Sequence, residues 1–499
     1  MKKLISLSLI IIIGLLMLAN NLHKPFYGHH DFNSAYYSTM AKNYLRYGLK
    51  TTKLGQITNS GISESTQFNF HTHYPSTFPL LLALSYKLFG FHEISGRLIP
   101  LCFSLASLLL LYLICRRLKF SQLASLASTV VLFTPMMRYF GKLPVHEPLV
   151  IFFSLLSALF YLNYLKSHHK KDLLIFLFSA LINSLISWPG YFLYPLLVLH
   201  SYIYHRKLYK KISLSLLVIA FGLLFHLFHV YLLTGDFFGG GLIKALIFRL
   251  NLASPRSDLV QFTLKKYLIQ QARWLTVYYT RPLIIISLGL LTHLFFNIIK
   301  KKHLTLPESF ILVFLLFGLG YPVVFPNMVF IHDYFNIYFL PFLAFSFAFI
   351  INQLHRWSSK IAIALFILLT ILIATERLAF LKAHQQSNMH LTGYQLGKFI
   401  NQTIPLTDSA VVFSVNYANH HEVFINFYAD RKVHYLGDSQ AEWDIFVNDL
   451  SPQVKHAFVV TTHSHPDLIV DHALATQSAQ FIKFQDFHYY QLPKNVTIN

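Results

Sequence analysis

The sequence predicts a mostly α-helical, polytopic membrane protein with a small α/β domain at its C-terminal end. Hydrophobic residues make up 55% of the 499 residues and charged residues only 12%, a balance that excludes an ordinary soluble protein. Long apolar runs recur along most of the chain, and only the last part turns polar. These two observations define the fold class before any motif is considered.

About 11 transmembrane helices are predicted from the apolar runs, because a hydrocarbon core of roughly 30 Å needs about 20 helical residues. The first run follows Lys2 and Lys3 as in a signal peptide, but no small-residue cleavage site follows it, so we interpret it as an uncleaved span. The predicted spans are approximately residues 4–22, 95–115, 121–138, 148–165, 173–187, 190–204, 212–233, 282–299, 308–325, 334–352 and 360–378.

Short basic clusters separate these spans and predict their orientation. By the positive-inside rule the loops that hold them face the cytoplasm, as does the N-terminus. The clusters are Lys2/Lys3, Arg116/Arg117/Lys119, Lys166/Lys170/Lys171, Arg206/Lys207/Lys210/Lys211, Lys300/Lys301/Lys302 and Arg356/Lys360. Because the charges are clustered between apolar runs, the net charge of +21 indicates a lipid bilayer as partner and no nucleic acid.

The first extracytoplasmic loop, about residues 23–94, is predicted to contain helices outside the membrane core. One helix is expected from Ser34 to Tyr47. A short apolar stretch from Pro75 to Gly90 is interpreted as an interfacial helix, because counting it as a span would invert every later basic loop.

The chain from about Leu391 is polar, with short apolar runs at 410–415 and 457–461 that are typical of strands between helical stretches. We therefore predict two domains: residues 1–390 form a transmembrane catalytic domain, and residues 391–499 form an extracytoplasmic α/β domain.

Acidic residues are scarce, with Asp and Glu totalling 20, so a carboxylate at a membrane surface is a candidate for chemistry. Asp31 precedes the helix near Ser34, and its alternative role is to cap that helix. Glu147 lies at the outer end of a predicted span. Its alternative role is a structural ion pair with Lys142 or Arg138.

Four stretches of the sequence carry a resemblance to a known family. They run from His30 to Gly48, from His73 to Leu98, from Arg138 to Leu149 and from His332 to Pro341. In their order and spacing the chain resembles membrane glycosyltransferases of the GT-C superfamily, in particular the dolichyl-phosphate-mannose protein mannosyltransferase and lipid A aminoarabinose transferase group.

The resemblance implies an inverting glycosyltransferase that takes a hexosyl or pentosyl group from a polyprenyl-phosphate sugar donor. The implied acceptor is a protein, lipid A or another lipid, or a glycan, on the periplasmic side of a bacterial inner membrane. Asp31 and Glu147 occupy the positions of the family's catalytic acids. Asp31 is the expected base for the acceptor hydroxyl, and Glu147 is expected to orient the acceptor or to pair with a cation.

A departing phosphate needs cationic or hydrogen-bonding groups. The candidate substrate- and phosphate-binding residues are Arg138, Lys142, His332, Asp333, Tyr334 and Tyr74. A long outer loop adds Lys244, Arg249, Arg256, Lys265, Lys266 and Arg273, most of which are expected to contact lipid headgroups. The glycines 239–241 at the start of that loop are a candidate hinge for a helix that closes over substrate.

A divalent metal is a candidate cofactor, but the sequence departs from the family at two positions. Some relatives use a Glu two residues before the loop proline as a metal ligand, and His73 stands there. Many have an acid directly after the first-loop aspartate, where this chain has Phe32. Residues 462–467 resemble the start of a metallo-hydrolase ligand string, but Leu468 follows, so no metal site is predicted there.

A transporter or flippase is the alternative function, because many spans with basic loops would suit it equally. Such a carrier is expected to hold charges inside its helix bundle, whereas the acids here lie at span ends, and no inverted repeat is visible. A polysaccharide polymerase or ligase with lipid pyrophosphate donors is a further alternative. A non-catalytic anchor for the C-terminal domain would leave the ordered acidic motifs unexplained.

Overall fold

A computed structural model describes residues 2–250, 262–300, 303–414, 421–437, 439–450, 454–460, 469–477, 480–484 and 486–492. The chain forms two compact units. Unit 1 comprises Met1–Leu22, Thr72–Leu81 and Ile94–Gln385, and unit 2 comprises His23–His71, Leu82–Glu93 and Gln386–Asn499. The last segment of unit 2 begins at Gln386, close to the predicted domain boundary near residue 390. The division into a catalytic and an extracytoplasmic domain stays a prediction.

Helices dominate the described chain. In order they are α1 (Lys2–Leu18), α2 (Asp31–Thr51), α3 (Thr77–Phe89), α4 (Glu93–Arg117), α5 (Gln122–Ala127), α6 (Pro135–Phe140), α7 (Glu147–Ser167), α8 (Lys170–Ser184), α9 (Leu193–Tyr204), α10 (Tyr209–Ile212), α11 (Leu214–Thr234), α12 (Leu242–Arg249), α13 (Leu264–Tyr279), α14 (Arg281–Ile299), α15 (Leu306–Val324), α16 (Pro326–Ile331), α17 (Leu340–Trp357), α18 (Ser359–Glu376), α19 (Leu378–Gln385), α20 (Leu391–Thr403), α21 (His421–Ala429), α22 (Gln440–Ile445) and α23 (Ile469–Gln477).

Tighter 3-10 turns and short strands complete the described elements. The 3-10 turns are Ser65–Gln67, Ser128–Phe133, Trp188–Phe192 and Asp333–Phe339, and one π-helical turn spans Phe446–Leu450. The strands are β1 (Gln56–Ile57), β2 (Phe70–His71), β3 (Ser409–Ser414), β4 (Lys432–Leu436), β5 (Val454–Val460), β6 (Gln480–Phe484) and β7 (Phe487–Gln491).

Seven helices of the described chain are long and apolar enough to cross a membrane. They are Glu93–Arg117, Glu147–Ser167, Tyr209–Thr234, Arg281–Ile299, Leu306–Val324, Asp333–Trp357 and Ser359–Glu376. The other four predicted spans coincide with the shorter helices α1, α5 with its following turn, α8 and α9. The mostly helical, polytopic class is therefore confirmed, whereas the count of about 11 spans stays a prediction.

The core of unit 1 is built around α17. Within the span Asp333–Trp357, 94% of an apolar 18-residue stretch is buried, whereas only 11% of the similarly apolar Ser359–Glu376 is buried. A helix that is apolar all round either lies inside the protein or faces hydrocarbon. The first of these two helices therefore belongs to the protein core, and the second is a lipid-facing helix.

Unit 2 contains a five-stranded sheet in the order β4-β3-β5-β7-β6. Strands β3, β4 and β5 pair in parallel, and β6 and β7 are antiparallel. The residues of β3 alternate between two cores, with Phe413 packed on one face and Val412 on the other. Both strands expected from the sequence, near 410–415 and 457–461, are thus present, and the small C-terminal α/β region is confirmed.

The first-loop helix packs within unit 2 against a helix of the C-terminal region. Phe26 and Ala35 form a buried cluster with Phe424 and Phe427. The helix expected from the residues near 34–47 is the longer α2, which is interrupted at Gly48, where φ is 77° and ψ is 158°. Helix α3 covers most of the predicted interfacial stretch.

Candidate functional site

Tyr74 lies in unit 1 directly after two residues, Thr72 and His73, whose backbone carbonyls are held by hydrogen bonds. The Trp188 indole nitrogen donates a 2.8 Å hydrogen bond to the carbonyl of His73. His226 Nε2 lies 3.1 Å from the carbonyl of Thr72 and donates to it. Two bonds to consecutive carbonyls hold this non-helical backbone in place. The Tyr74 side chain is consequently buried in a defined position.

A glycine turn brings α12 close to this segment. Gly240 and Gly241 have φ angles of 66° and 80°, a region that glycine adopts without steric cost. A Cβ added to Gly240 would lie 2.5 Å from Thr72 Oγ1, so only glycine permits this approach. Helix α12 begins directly after the turn, and its last residue is Arg249.

Arg249 is a buried cation beside an aromatic ring. Its guanidinium carbon lies 5.0 Å from the centroid of the Tyr74 ring, a cation–π arrangement. Asn327 donates a hydrogen bond of 2.6 Å to the carbonyl of Phe248 and so fixes the end of α12. A guanidinium held in one place beside an aromatic ring can bind a phosphate through paired hydrogen bonds.

Two histidines next to Arg249 are neutral. Burial, with a smaller effect of the nearby Arg249, lowers the pKa of His73 to about 4. The same two causes lower the pKa of His146 to about 3. The ring of His146 lies 4.7 Å from that of Tyr74. The local positive charge therefore comes from Arg249, and neither imidazole adds to it near neutral pH.

Glu147 is the buried acid of this cluster. It is the first residue of α7 and 4% exposed, a place where the helix dipole favours an anion. Among the described residues its Oε2 has no hydrogen-bond partner and its carboxylate forms no ion pair. Lys142 instead donates to the carbonyl of Asn20, and Arg138 leaves its buried Nε without a partner among the described residues. The alternative of a structural ion pair for Glu147 therefore finds no support.

Three buried tyrosines surround this acid. Tyr74 interacts electrostatically with Glu147 and Tyr321, and Tyr338 does so with Glu147, Tyr321 and Tyr74. Burial raises the pKa of Tyr74, so its phenol stays protonated and can donate a hydrogen bond. The sequence analysis missed His146, Tyr321 and Tyr338, because nothing local distinguishes them from other polar residues at span ends.

The predicted residues His332, Asp333 and Tyr334 form a second group in unit 1. The Tyr278 hydroxyl donates to the buried carboxylate of Asp333, and it also lies 3.3 Å from His384 Nε2. The rings of His332 and Tyr334 are 5.3 Å apart. Burial and the neighbouring Asp333 raise the pKa of Tyr278. Asp333 thus accepts a hydrogen bond from a protonated phenol and stabilises this part of the site.

Asp31 belongs to unit 2, where the residue is 3% exposed. One oxygen accepts a 2.8 Å hydrogen bond from the Gly28 amide, and the other lies 3.1 Å from the Ser34 hydroxyl. The helix begins at Asp31 itself, after His30 in the left-handed region with φ of 57°. Asp31 is therefore a first-turn residue with two local hydrogen bonds, not the residue that precedes the helix.

The remaining predicted cations of the long outer loop do not share the environment of Arg249. Lys244, Lys265, Lys266 and Arg273 are exposed, and the last three line an open groove of about 510 Å³ on α13. Arg256 lies outside the described residues, as do residues 462–467 of the metallo-hydrolase-like string. Exposed basic groups of this kind suit contacts with lipid headgroups.

The surroundings of His73 do not fit a divalent metal site. Its electrostatic neighbours are the Arg249 guanidinium and the backbone of Gly240. A hard divalent cation is bound by several oxygen ligands, and a fixed guanidinium would repel it. We therefore derive no chemical step through a metal at His73.

The fold and the site together define a polytopic membrane protein with a buried acid and a buried cation beside non-helical backbone. The sequence model of the family described as dolichyl-phosphate-mannose-protein mannosyltransferase matches residues 73–232. That segment contains both Tyr74 and Glu147. No curated protein sequence matches the chain.

Solved structures show a similar fold. ArnT from Cupriavidus metallidurans bound to undecaprenyl phosphate is 12% identical over 97% of each chain, with a TM-score of 0.63. The apo state of that protein is 12% identical over 99% of each chain, with a TM-score of 0.52. The chain therefore shares its fold with ArnT over nearly its whole length, as the resemblance noted in the sequence implies.

A more distant comparison is the S. cerevisiae protein O-mannosyltransferase Pmt1-Pmt2 complex bound to the sugar donor. It is 14% identical over 52% of this chain and 38% of that chain, with a TM-score of 0.36. This similarity is too low to carry an argument about fold or function.

Proposed function

We propose that this protein is an inverting glycosyltransferase that moves a sugar from a polyprenyl-phosphate-linked donor to a protein, lipid or glycan acceptor. The observation that carries the proposal is the buried Arg249–Tyr74 pair next to Glu147, whose carboxyl group forms no ion pair with any residue that the structure describes. Two of these residues lie in the segment matched by the mannosyltransferase family. The similarity to ArnT, whose solved structure holds undecaprenyl phosphate, supports the donor class.

Arg249 is the residue proposed to bind the phosphate group of the donor. The phosphate gains negative charge as the glycosidic bond breaks, so a guanidinium and a phenolic hydroxyl stabilise the transition state more than the ground state. Arg249 supplies the charge, and the protonated Tyr74 supplies a hydrogen-bond donor. A guanidinium binds phosphate through two parallel hydrogen bonds, which also fixes its orientation.

Asp31 is the proposed base and Glu147 the proposed orienting acid. The acceptor hydroxyl oxygen forms the new bond to the anomeric carbon, the bond from that carbon to the phosphate oxygen breaks, and the hydroxyl proton passes to the Asp31 carboxylate. A single displacement of this kind inverts the anomeric configuration. Glu147, without an ion-pair partner among the described residues, accepts a hydrogen bond from the acceptor or stabilises the positive anomeric centre.

The proposed orientation places the N-terminus in the cytoplasm and the α/β domain in the periplasm of a bacterial inner membrane. The basic clusters between the spans support it. The C-terminal end of α4, which carries Arg116 and Arg117, meets α7 near its own C-terminal end, where Arg117 donates to the carbonyl of Asn163 at 3.2 Å. The basic loops that follow α4 and α7 therefore lie at the same end of unit 1. Protease digestion of spheroplasts should remove an epitope at the C-terminus and leave one at the N-terminus.

Donor turnover by the purified protein tests the function. Full-length protein in nanodiscs is incubated with radiolabelled polyprenyl-phosphate hexoses and pentoses, and loss of label from the carrier is followed. Label should leave the carrier with wild-type protein and with Asp236→Asn, a control at an exposed acid, but not with Asp31→Asn. A folded wild-type protein that turns over no donor contradicts the proposal and favours the transporter alternative, for which flux across liposomes is the next measurement.

A further inference from the structure

A groove of about 600 Å³ opens at the end of unit 1 where α4 and α7 finish. Its polar lining comprises Tyr112, Arg116, Arg117, Gln122 and Asn163, and Leu159 contributes to its apolar wall. Asn163 lies 16 residues after Glu147 on α7, which corresponds to about 24 Å along the helix. The groove is therefore distinct from the candidate site at the start of that helix.

The groove carries two positive charges and no carboxylate among its lining residues. Arg116 donates a 2.6 Å hydrogen bond to the carbonyl of Phe120, and Arg117 donates one of 3.2 Å to the carbonyl of Asn163. Within the described chain neither guanidinium has an ion-pair partner, and the buried Nε of Arg117 has no hydrogen-bond partner. Because carbonyl groups carry no net negative charge, both guanidinium groups, of the exposed Arg116 and the half-buried Arg117, can still pair with an anion from outside the chain.

The other polar groups of the lining can donate hydrogen bonds as well. The side chains of Tyr112 and Asn163 make no hydrogen bond to any described residue, and the Gln122 amide donates to Ser6 Oγ at 2.8 Å. Phosphate oxygens accept several hydrogen bonds at once, and guanidinium groups bind them in pairs. A convergent set of donors with two fixed positive charges is therefore a phosphate-binding arrangement.

We propose that this groove binds the phosphodiester headgroup of an anionic phospholipid. The groove lies where two membrane-spanning helices end, and Leu159 offers an apolar wall beside the basic groups. Basic pockets between membrane helices bind the headgroups of anionic lipids in this way. A lipid gains both the charge interaction and the apolar contact, whereas a free phosphate ion gains only the first.

Lipid titration of the full-length protein tests the proposal. Protein in phosphatidylcholine nanodiscs is titrated with phosphatidylglycerol or cardiolipin, and bound lipid is counted by native mass spectrometry. The variant with Arg116→Gln and Arg117→Gln should bind roughly tenfold more weakly, because two charge-assisted hydrogen bonds are replaced by neutral ones. The matched control, Lys210→Gln with Lys211→Gln, removes the same charge from exposed positions of α10 and should bind as the wild type does.

A second variant and a second ligand make the result decisive. Leu159→Trp fills the groove without changing its charge and should also weaken lipid binding, while gel filtration verifies that each variant is folded. Equal loss of binding in the Lys210/Lys211 control would overturn the proposal in favour of general surface attraction. Inorganic phosphate or glycerol phosphate that competes as strongly as the lipid would equally overturn it, because the site would then recognise a soluble anion.

Discussion

The guanidinium of Arg249 lies over the ring of Tyr74, with 5.0 Å between its central carbon and the ring centroid. This contact distinguishes Arg249 from the other four basic residues of the long outer loop that the structure describes. Arg249 is buried, whereas Lys244, Lys265 and Lys266 are exposed. Because a charge in a buried site is screened less than one at the surface, Arg249 is the residue whose loss should affect a bound phosphate most.

Arg249→Ala should weaken donor binding by on the order of tenfold to a hundredfold, the cost of losing a charge-assisted pair. Arg249→Lys should recover part of the affinity, since an ammonium keeps the charge but not the paired hydrogen bonds. Lys244→Ala, an exposed control on the same helix, should leave the KM for the donor unchanged. Equal effects of Arg249→Ala and Lys244→Ala would show that the contact with Tyr74 has no role in donor binding.

Glu147→Gln should lower kcat by roughly a hundredfold or more while donor affinity stays close to that of the wild type. The amide keeps the size of the side chain but cannot act as a negative charge. Turnover and donor binding are measured on the same preparation, with its unfolding temperature as the control for folding. Unchanged kcat in a folded variant would remove Glu147 from the catalytic residues.

Gly240→Ala should weaken donor binding and lower the unfolding temperature. The left-handed backbone costs an alanine about 1–2 kcal/mol, and the new Cβ would lie 2.5 Å from Thr72 Oγ1, which pushes α12 away from Tyr74. Gly235→Ala is the matched control, because Gly235 also has a positive φ, 76°, but no atom lies within 4 Å of an added Cβ. A donor KM that rises equally in both variants would contradict the positioning role of the turn.

Asp430→Asn should destabilise unit 2 by about 1–3 kcal/mol, the usual cost of losing a partner in a charged hydrogen bond. Asp430 lies 2.8 Å from Lys42 Nζ and also accepts from Arg46, both on α2. Its φ of 52° is left-handed, and asparagine tolerates that conformation, so only the charge changes. Hydrogen exchange of α2 should rise in this variant and not in Asp444→Asn, which alters an exposed acid. Unchanged exchange would show that the ion pairs contribute nothing to the packing of α2.

The stability of the protein should fall as the pH drops from about 6.5 to about 4, in part because of His73. Its pKa is lowered to about 4 by burial and by Arg249, so in this range the unfolded chain binds a proton that the folded chain does not. Above pH 6.5 neither state is protonated, and the contribution is constant. His73→Asn should therefore show a shallower fall in unfolding temperature over this range. A pH profile parallel to that of the wild type would contradict the buried, neutral state of His73.

Local patterns were sufficient for the membrane class and the C-terminal strands, whereas Asp31, Tyr74 and Glu147 were also chosen through the family resemblance, and their roles stay predictions. Hydropathy and strand alternation are properties of neighbouring residues, so they can be read without knowing the fold. The number of spans was harder to predict from the sequence, because helices α8 and α9 are shorter in the structure than a full membrane span. A helix that packs inside a bundle does not need the length of an isolated span.

The sequence by itself determined that this chain is a mostly helical, polytopic membrane protein whose scarce acids lie near the ends of its apolar runs. Only the tertiary structure decided that Arg249 is a buried cation beside Tyr74, that Tyr321 and Tyr338 interact with Glu147, and that α2 packs against α21 within unit 2. The physical reason is that burial and proximity depend on residues far apart in the chain. Composition reports which groups are costly to bury, and the fold alone decides which of them are buried together.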